Sequence, residues 1–350
     1  MGKCLLRNCK ESNYFLCFDR DEGKFIRRGT NGENPFWNVI GPELLDISIT
    51  NFCERECDFC YRASNRHGKF MSLKDYEYII EQAENIGVLQ VALGGGNPNQ
   101  HPAFIKILEL TRKHWIIPSY TTNGQGMSEE IYFATKKYCG AIAVSWYPPY
   151  NDAMNVIEKC HEFGIKVNIH FMLNKETINE AIDLLENHHI DILKNTNAIV
   201  FLNYKPIHTS SDLNLKFSEN IDKFLNSIKK VREFKIGFDS CMISYLAPIT
   251  EYFIDETVEF CDAGRFSAFI SEDLILYPCS FYNDTKKTGI DLNIHSLQAG
   301  WQGGTEFTKL REKLSVASKQ EYPIELCERC QKYQICHGGC QVFDINRCER

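Results

Sequence analysis

The chain has 350 residues, 43% of them hydrophobic, with 16 cysteines, a net charge of −7 and a pI near 5.9. That charge, with no basic stripe, excludes nucleic-acid binding as the main function. The amino terminus is not a signal peptide, and no run reaches the ~18 apolar residues of a membrane span, so the chain is read as cytoplasmic and without a membrane partner.

In a reducing compartment, so many cysteines point to metal or redox chemistry rather than disulfides. Residues 1–43 read as an amino-terminal extension. Residues 44–50, LLDISIT, read as a buried strand that runs into the first cysteine cluster. Residues 72–85 read as a helix with Ser72 as N-cap and Asp75 three residues on, close to a capping box. Tyr76, Ile79, Ile80 and Ala83 fall on one of its faces, and Gly87 follows its end. A strand over 90–93 then ends in Gly94-Gly95-Gly96.

The rhythm repeats. Helices are predicted over 101–114, 128–139, 151–163, 177–188 and 218–233. Strands are predicted over 116–120, 141–145, 166–173, 198–204 and 235–239. Alternating strands and helices imply parallel strands with crossover helices, an α/β fold. About six such units suggest a full or partial barrel over 44–239, with its chemistry at the carboxyl ends of the strands. After Asp239 the rhythm stops and cysteines become dense. Residues 240–350 therefore read as a loop-rich second domain with little core of its own, dependent on bound metal.

The first cluster is Cys53-Glu-Arg-Glu-Cys57-Asp-Phe-Cys60. Three thiolates within eight residues can wrap one cubane cluster, which normally takes four, leaving one iron open to a reactant. The alternative is a zinc knuckle lacking one ligand, although structural zinc sites close with four. The carboxyl-terminal cysteines follow Cys327-x2-Cys330-x5-Cys336-x3-Cys340-x7-Cys348, with Cys241, Cys261 and Cys279 upstream. Eight thiolates suffice for two four-ligand clusters; zinc ribbons are the alternative.

The C-x3-C-x2-C spacing after a first strand, with Phe59 before the last cysteine, resembles the radical S-adenosylmethionine superfamily. The resemblance implies a partial (β/α)6 barrel and an open iron that chelates S-adenosylmethionine. It implies one-electron cleavage to methionine and a 5′-deoxyadenosyl radical, which abstracts hydrogen from substrate. Gly94, Gly95, Gly96 and Asn97 resemble the family's Gly-Gly-Glu-Pro motif at the methionine amino group. Asn97 stands at its glutamate, keeping an acceptor but losing the charge. Thr122 and Asn123, with Gly124, resemble its Thr-Asn-Gly segment, and Ser145 a common ribose or carboxylate contact. Asn168 and His170 share a strand face expected to line the barrel. Each of these polar residues also has a plainer reading, as a strand-end or turn group with its hydrogen bonds satisfied. Lys205 follows a strand and faces either substrate or solvent.

The carboxyl-terminal pattern resembles the SPASM domain, which holds two auxiliary 4Fe–4S clusters. Its interleaved connectivity implies Cys241, Cys261, Cys279 and Cys340 on one, and Cys327, Cys330, Cys336 and Cys348 on the other. Leu274 stands where that domain usually has glycine, so the turn is expected to differ. In all, three 4Fe–4S clusters and S-adenosyl-L-methionine are expected, with an electron donor such as flavodoxin or ferredoxin. Cys4, Cys9, Cys17, Cys139 and Cys160 read as packing or incidental residues. By the same resemblance the substrate is a peptide or protein. Radical oxidation or rearrangement of a small molecule is the rival enzyme reading. An iron–sulfur electron carrier or a zinc-bearing binding protein is the rival outside enzymes. No general acid or base is assigned, although Asp239 lies at a strand end near Cys241.

Overall fold

The computed structural model describes residues 4–21, 23–32, 34–187, 191–207, 211–215, 218–231, 234–253, 258–282, 288–315, 325–340 and 342. Cys348 and the last residues of the helices expected over 177–188 and 218–233 lie outside them.

Three strands open the chain: β1 (Cys4–Cys9), β2 (Tyr14–Asp19) and β3 (Phe25–Gly29). They form an antiparallel sheet that the reading of 1–43 did not anticipate. One face of β2 is apolar, and Tyr14, Leu16 and Phe18 bury it against Leu89, Ile117 and Phe266. Those partners lie at or just before the starts of central strands. The small sheet therefore caps the amino-terminal end of the barrel, away from the cysteine loop.

The alternating units follow. They are β4 (Leu44–Thr50), α1 (Leu73–Asn85), β5 (Gln90–Gly95), α2 (Phe104–Lys113), β6 (Ile117–Thr122), α3 (Glu129–Tyr138), β7 (Ile142–Trp146) and α4 (Asn151–Phe163). Then come β8 (Val167–Leu173), α5 (Ile178–Asn187), a short α6 (Asp191–Lys194), β9 (Ala198–Asn203), α7 (Glu219–Lys230) and β10 (Lys235–Phe238). In α1 the Ser72 hydroxyl accepts from the Asp75 N–H, and Tyr76, Ile79, Ile80 and Ala83 are buried. Fully burying each large side chain of that face contributes roughly 1.5–3 kcal/mol.

After 239 come α8 (Ile243–Leu246), β11 (Ser267–Ile270), β12 (Ile275–Tyr277), β13 (Ile290–Asp291), α9 (Leu297–Gly303), α10 (Thr305–Leu314), α11 (Glu325–Glu328) and α12 (Tyr333–Cys336). The central sheet has ten strands in the order β10-β9-β8-β7-β6-β5-β4-β11-β12-β13. Pairing is parallel from β10 to β11. Among the described residues the sheet ends on β10 and β13, so the barrel is open. Residues past 239 share this sheet, since β11 pairs with β4, and they share its core through Met242, Tyr245, Ile270, Trp301 and Phe307. Leu274 takes the left-handed backbone, φ +63°, that glycine adopts freely, and its side chain is buried. For a residue other than glycine that conformation costs the backbone about 1–2 kcal/mol. Among the described residues no helix is long and apolar enough to cross a membrane.

Candidate active site

A cavity of about 400 Å³ opens at the carboxyl ends of the central strands. Cys53, Cys57 and Cys60 line one side of it. Their loop leaves β4 and is pinned by backbone bonds. The Cys53 N–H donates to Asn65 O at 3.0 Å, and the Cys60 N–H to Cys57 O at 3.0 Å. The Asn97 N–H donates to Phe52 O at 2.9 Å, tying the loop to the turn after β5.

The three glycines of that turn do different things. Gly95 sits at φ +104°, where a Cβ would lie 2.1 Å from Thr50 O. At Gly96 a Cβ would lie 2.0 Å from Phe52 O. Both let the turn press against the cysteine loop. A Cβ at Gly94 would meet nothing within 4 Å and would point into open space. Gly94→Ala should therefore keep its stability within ~0.5 kcal/mol. Gly96→Ala should lose about 1–3 kcal/mol as overpacked backbone moves, with poorer iron loading. Urea midpoints and iron content check this; equal midpoints for the two variants would refute it.

Thr122 and Asn123 end β6. The Asn123 amide donates to Cys53 Sγ at 3.4 Å. Thr122, Asn123, Ser145, His170 and Phe59 all reach the cavity wall. Burial lowers the pKa of the His170 imidazole to about 4, so it is neutral at physiological pH. Asn97 and Asn168 do not reach the wall. Asn97 is 1% exposed. Its amide donates to Gln125 O at 2.9 Å, and its carbonyl accepts from the Asn123 N–H at 3.2 Å. It shapes the Thr122–Asn123 loop from behind. Asn168 shares the inward face with His170 but sits deeper, accepting from Asn197 Nδ2 at 2.8 Å.

Sequence reasoning missed several residues. Arg55 lies between the first two cysteines. Its guanidinium pairs with Asp152 at 3.2 Å, donates to Pro148 O at 3.1 Å and lies over the Tyr147 ring at 4.7 Å. It thereby clamps the cysteine loop to the β7–α4 connection. Tyr147 packs edge-on against Phe59, with ring centroids 5.2 Å apart, and hydrogen-bonds Cys57. Asp46 faces the cavity from β4, and burial pushes its carboxyl up to about 6. The aromatic before Cys60 was a local signal for that packing; the other contacts join distant segments and had none.

At the far side of the cavity lie Asn203, Lys205, Asp239 and Phe281. Lys205 Nζ pairs with Asp239 Oδ2 at 2.6 Å and donates to Asn203 O at 2.9 Å. Burial pushes the Lys205 pKa down, but Asp239 and neighbouring thiols push it up further, so it stays an ammonium. Asn203 is 2% exposed, and among the described residues both its side-chain polar atoms lack a partner, as does Asp239 Oδ1.

Four of the later cysteines meet beside this pair. Cys241 hydrogen-bonds with Cys340, the main cause of its raised pKa. Cys261 is pushed up to about 12 by burial, then by Cys241. Cys279 is raised by burial, then by Cys261 and Cys241, while Lys205 opposes. At Cys241 the Lys205 charge outweighs that of Asp239. Cys336 is pushed up to about 11 by burial, with Cys327 and Cys330 adding to the shift. Cys160 and Cys9 are buried apolar neighbours, Cys4 is exposed, and Cys17 and Cys139 are half-buried.

Among the described residues no three His, Cys, Asp or Glu side chains converge on one ion-sized point. A four-iron cube takes its thiolates at separate corners rather than around one ion. The all-thiol loop, the amide N–H aimed at Cys53 and the open space over Gly94 therefore fit a cluster with a small ligand beside it.

Comparison with known proteins agrees. Residues 47–147 match the model of the Radical SAM superfamily. Mycofactocin maturase MftC of Mycobacterium tuberculosis (strain CDC 1551 / Oshkosh) is 22% identical over 320 residues, covering 86% of this chain and 78% of that protein. Streptococcus suis SuiB bound to S-adenosylmethionine superposes with a TM-score of 0.74 at 15% identity, over 98% of this chain and 95% of that one. Native anSMEcpe with bound AdoMet and Cp18Cys peptide gives a TM-score of 0.65 at 16% identity, over 88% and 91%. The superfamily match falls on the stretch that carries the three thiols and the glycine turn, so the chain carries a radical SAM domain over residues 47–147, the stretch fitted to S-adenosylmethionine and a 4Fe–4S cluster.

Proposed function

We propose that the protein modifies a peptide or protein substrate by radical chemistry, assisted by two auxiliary 4Fe–4S clusters in residues 240–350. The observation that carries this reading is the single cavity running from Cys53, Cys57 and Cys60 to the Lys205–Asp239 pair. Asn203 and Asp239 line its far end and bury side-chain atoms that have no partner among the described residues. Each such atom costs about 1–3 kcal/mol unless a ligand meets it. The donor and acceptor of a carboxamide complement the carbonyl and N–H of a peptide amide. The likeness to MftC, named a maturase, and to anSMEcpe, seen with a peptide, supports the same class.

In this reading Cys53, Cys57 and Cys60 hold the first cluster. Phe59, Gly94, Gly95, Gly96, Thr122, Asn123, Ser145 and His170 surround S-adenosylmethionine, with Asn97 and Asn168 acting from behind. When bound, these groups supply a one-electron cleavage that yields a 5′-deoxyadenosyl radical. The protein walls keep water from that radical and orient the substrate hydrogen. Cys241, Cys261, Cys279 and Cys340 hold one auxiliary cluster. Cys327, Cys330, Cys336 and Cys348 hold the other. Electrons come from a flavodoxin or ferredoxin in the cytoplasm.

Anaerobic reconstitution should load about twelve irons per chain. With dithionite, the loaded protein should release 5′-deoxyadenosine. Zinc without iron would sink the enzyme reading. Four irons with intact cleavage would remove the auxiliary clusters. Turnover of small molecules but of no peptide would replace the substrate class.

A further inference from the structure

We infer that Lys205, fixed by Asp239, raises the reduction potential of the centre held by Cys241, Cys261, Cys279 and Cys340. The inference rests on the proposed assignment of those four thiols to one auxiliary cluster.

Topology makes the placement. β9 and β10 are adjacent parallel strands, paired through Phe238 and Phe201. Lys205 lies two residues past the end of β9, and Asp239 is the first residue past β10. The two strand ends deliver a cation and an anion to the same point, with Nζ and Oδ2 2.6 Å apart. The Lys205 side chain is 3% exposed. Its ammonium also lies 4.5 Å over the Phe281 ring, and the Phe281 N–H donates to Cys279 Sγ at 3.4 Å. Cys241 is two residues beyond Asp239, on the turn Ser240–Met242. The cation is thus held between the cavity, which it lines, and the thiol group.

Orientation decides the sign. An ion pair has no net charge, so its nearer end dominates its surroundings. The cationic end lies on the thiol side, over the ring of Phe281, the residue whose N–H donates to Cys279 Sγ. A cluster gains negative charge when reduced. A cation at its edge stabilises that reduced state and lifts the potential, one of the levers proteins use on such centres. A purely structural account is weaker, because burying an ion pair is seldom more stable than burying apolar side chains of the same volume.

The test is a redox titration of the reconstituted, iron-loaded protein, followed by electron paramagnetic resonance. Lys205→Met should lower the midpoint of one auxiliary signal by at least a tenfold change in the one-electron equilibrium constant, about 59 mV. Asp239→Asn should move the same signal upward, and Lys205→Arg should stay near the parent value. Opposite signs for the two neutralised partners are not expected from loosened structure. Fully loaded variants whose midpoints do not move, or move in the same direction, overturn the inference. If Lys205→Met fails to load iron, the upward shift in Asp239→Asn decides alone, and an unchanged midpoint there overturns it. A parent protein with four irons and no auxiliary signal fails differently, since it removes the cluster assignment itself.

Discussion

Cys57→Ala should lose about four irons per chain on reconstitution and reduce 5′-deoxyadenosine formation to background. The middle thiol of the loop has no substitute. Its carbonyl anchors the turn to Cys60 at 3.0 Å, and Tyr147 hydrogen-bonds its sulfur. Burial raises its pKa, so an empty loop holds it as a thiol, and metal must displace that proton. Alanine leaves two thiolates for a cluster that already binds with one fewer than usual. The electron then has no route to the sulfonium, and no neighbouring acid or base replaces it. Cys160→Ala is the control. Cys160 is fully buried in α4 among apolar side chains, so its loss should lower stability while iron and cleavage persist. Full iron and cleavage in Cys57→Ala would break the assignment of this loop.

The second large effect is on stability and reverses the usual sign for a substitution. In the metal-free, reduced protein, Asp46→Asn should raise stability at pH 7.5 by roughly 1–3 kcal/mol. Burial pushes the Asp46 carboxyl from 3.8 to about 6. A carboxylate raised in the folded state is penalised when charged. The fold therefore gives up stability as pH rises from about 3.8 through 6, and none below. Asparagine keeps the shape and removes the charge, so its gain should be full above pH 6 and vanish near pH 3.5. His170 works the other way. Its imidazole falls from 6.5 to about 4, so it withdraws stability as pH drops through that window. In the parent chain the two effects partly cancel between pH 4 and 6. Asp46→Asn should unmask the histidine as a steeper loss of stability on acidification. Denaturant midpoints from pH 3.5 to 8 measure this, and a gain that persists at pH 3.5 would mean packing, not charge, was responsible. A carboxylate kept on a cavity wall at such a cost is the pattern of a ligand site.

Much of the fold was legible because it is written in short-range patterns. Ser72 and Asp75 announced α1, and its four buried residues recur at helical spacing. The three thiols of the first loop sit within eight residues, and one strand end carries them. Residues separated by one turn or one strand reveal themselves by period.

Other features depended on contacts between segments far apart in the chain. The amino-terminal strands alternate less cleanly, with Phe15 and Ile26 exposed, and were read only as an extension. Residue 97 was placed by alignment beside the cofactor. Its side chain instead binds the Gln125 carbonyl, an orientation no local pattern specifies.

By itself the sequence determined the barrel's rhythm, the position of its first cysteine loop and the chemistry those thiols invite, because each depends on spacing along a few residues. Only the tertiary structure decided that β11 pairs with β4 and extends the sheet through β12 and β13, and that Lys205 meets Asp239 between the cavity and the Cys241 and Cys340 thiols. Those pairings join residues tens to hundreds of positions apart. They exist because parallel strands bring their carboxyl ends to one face, where side chains with no common motif become neighbours.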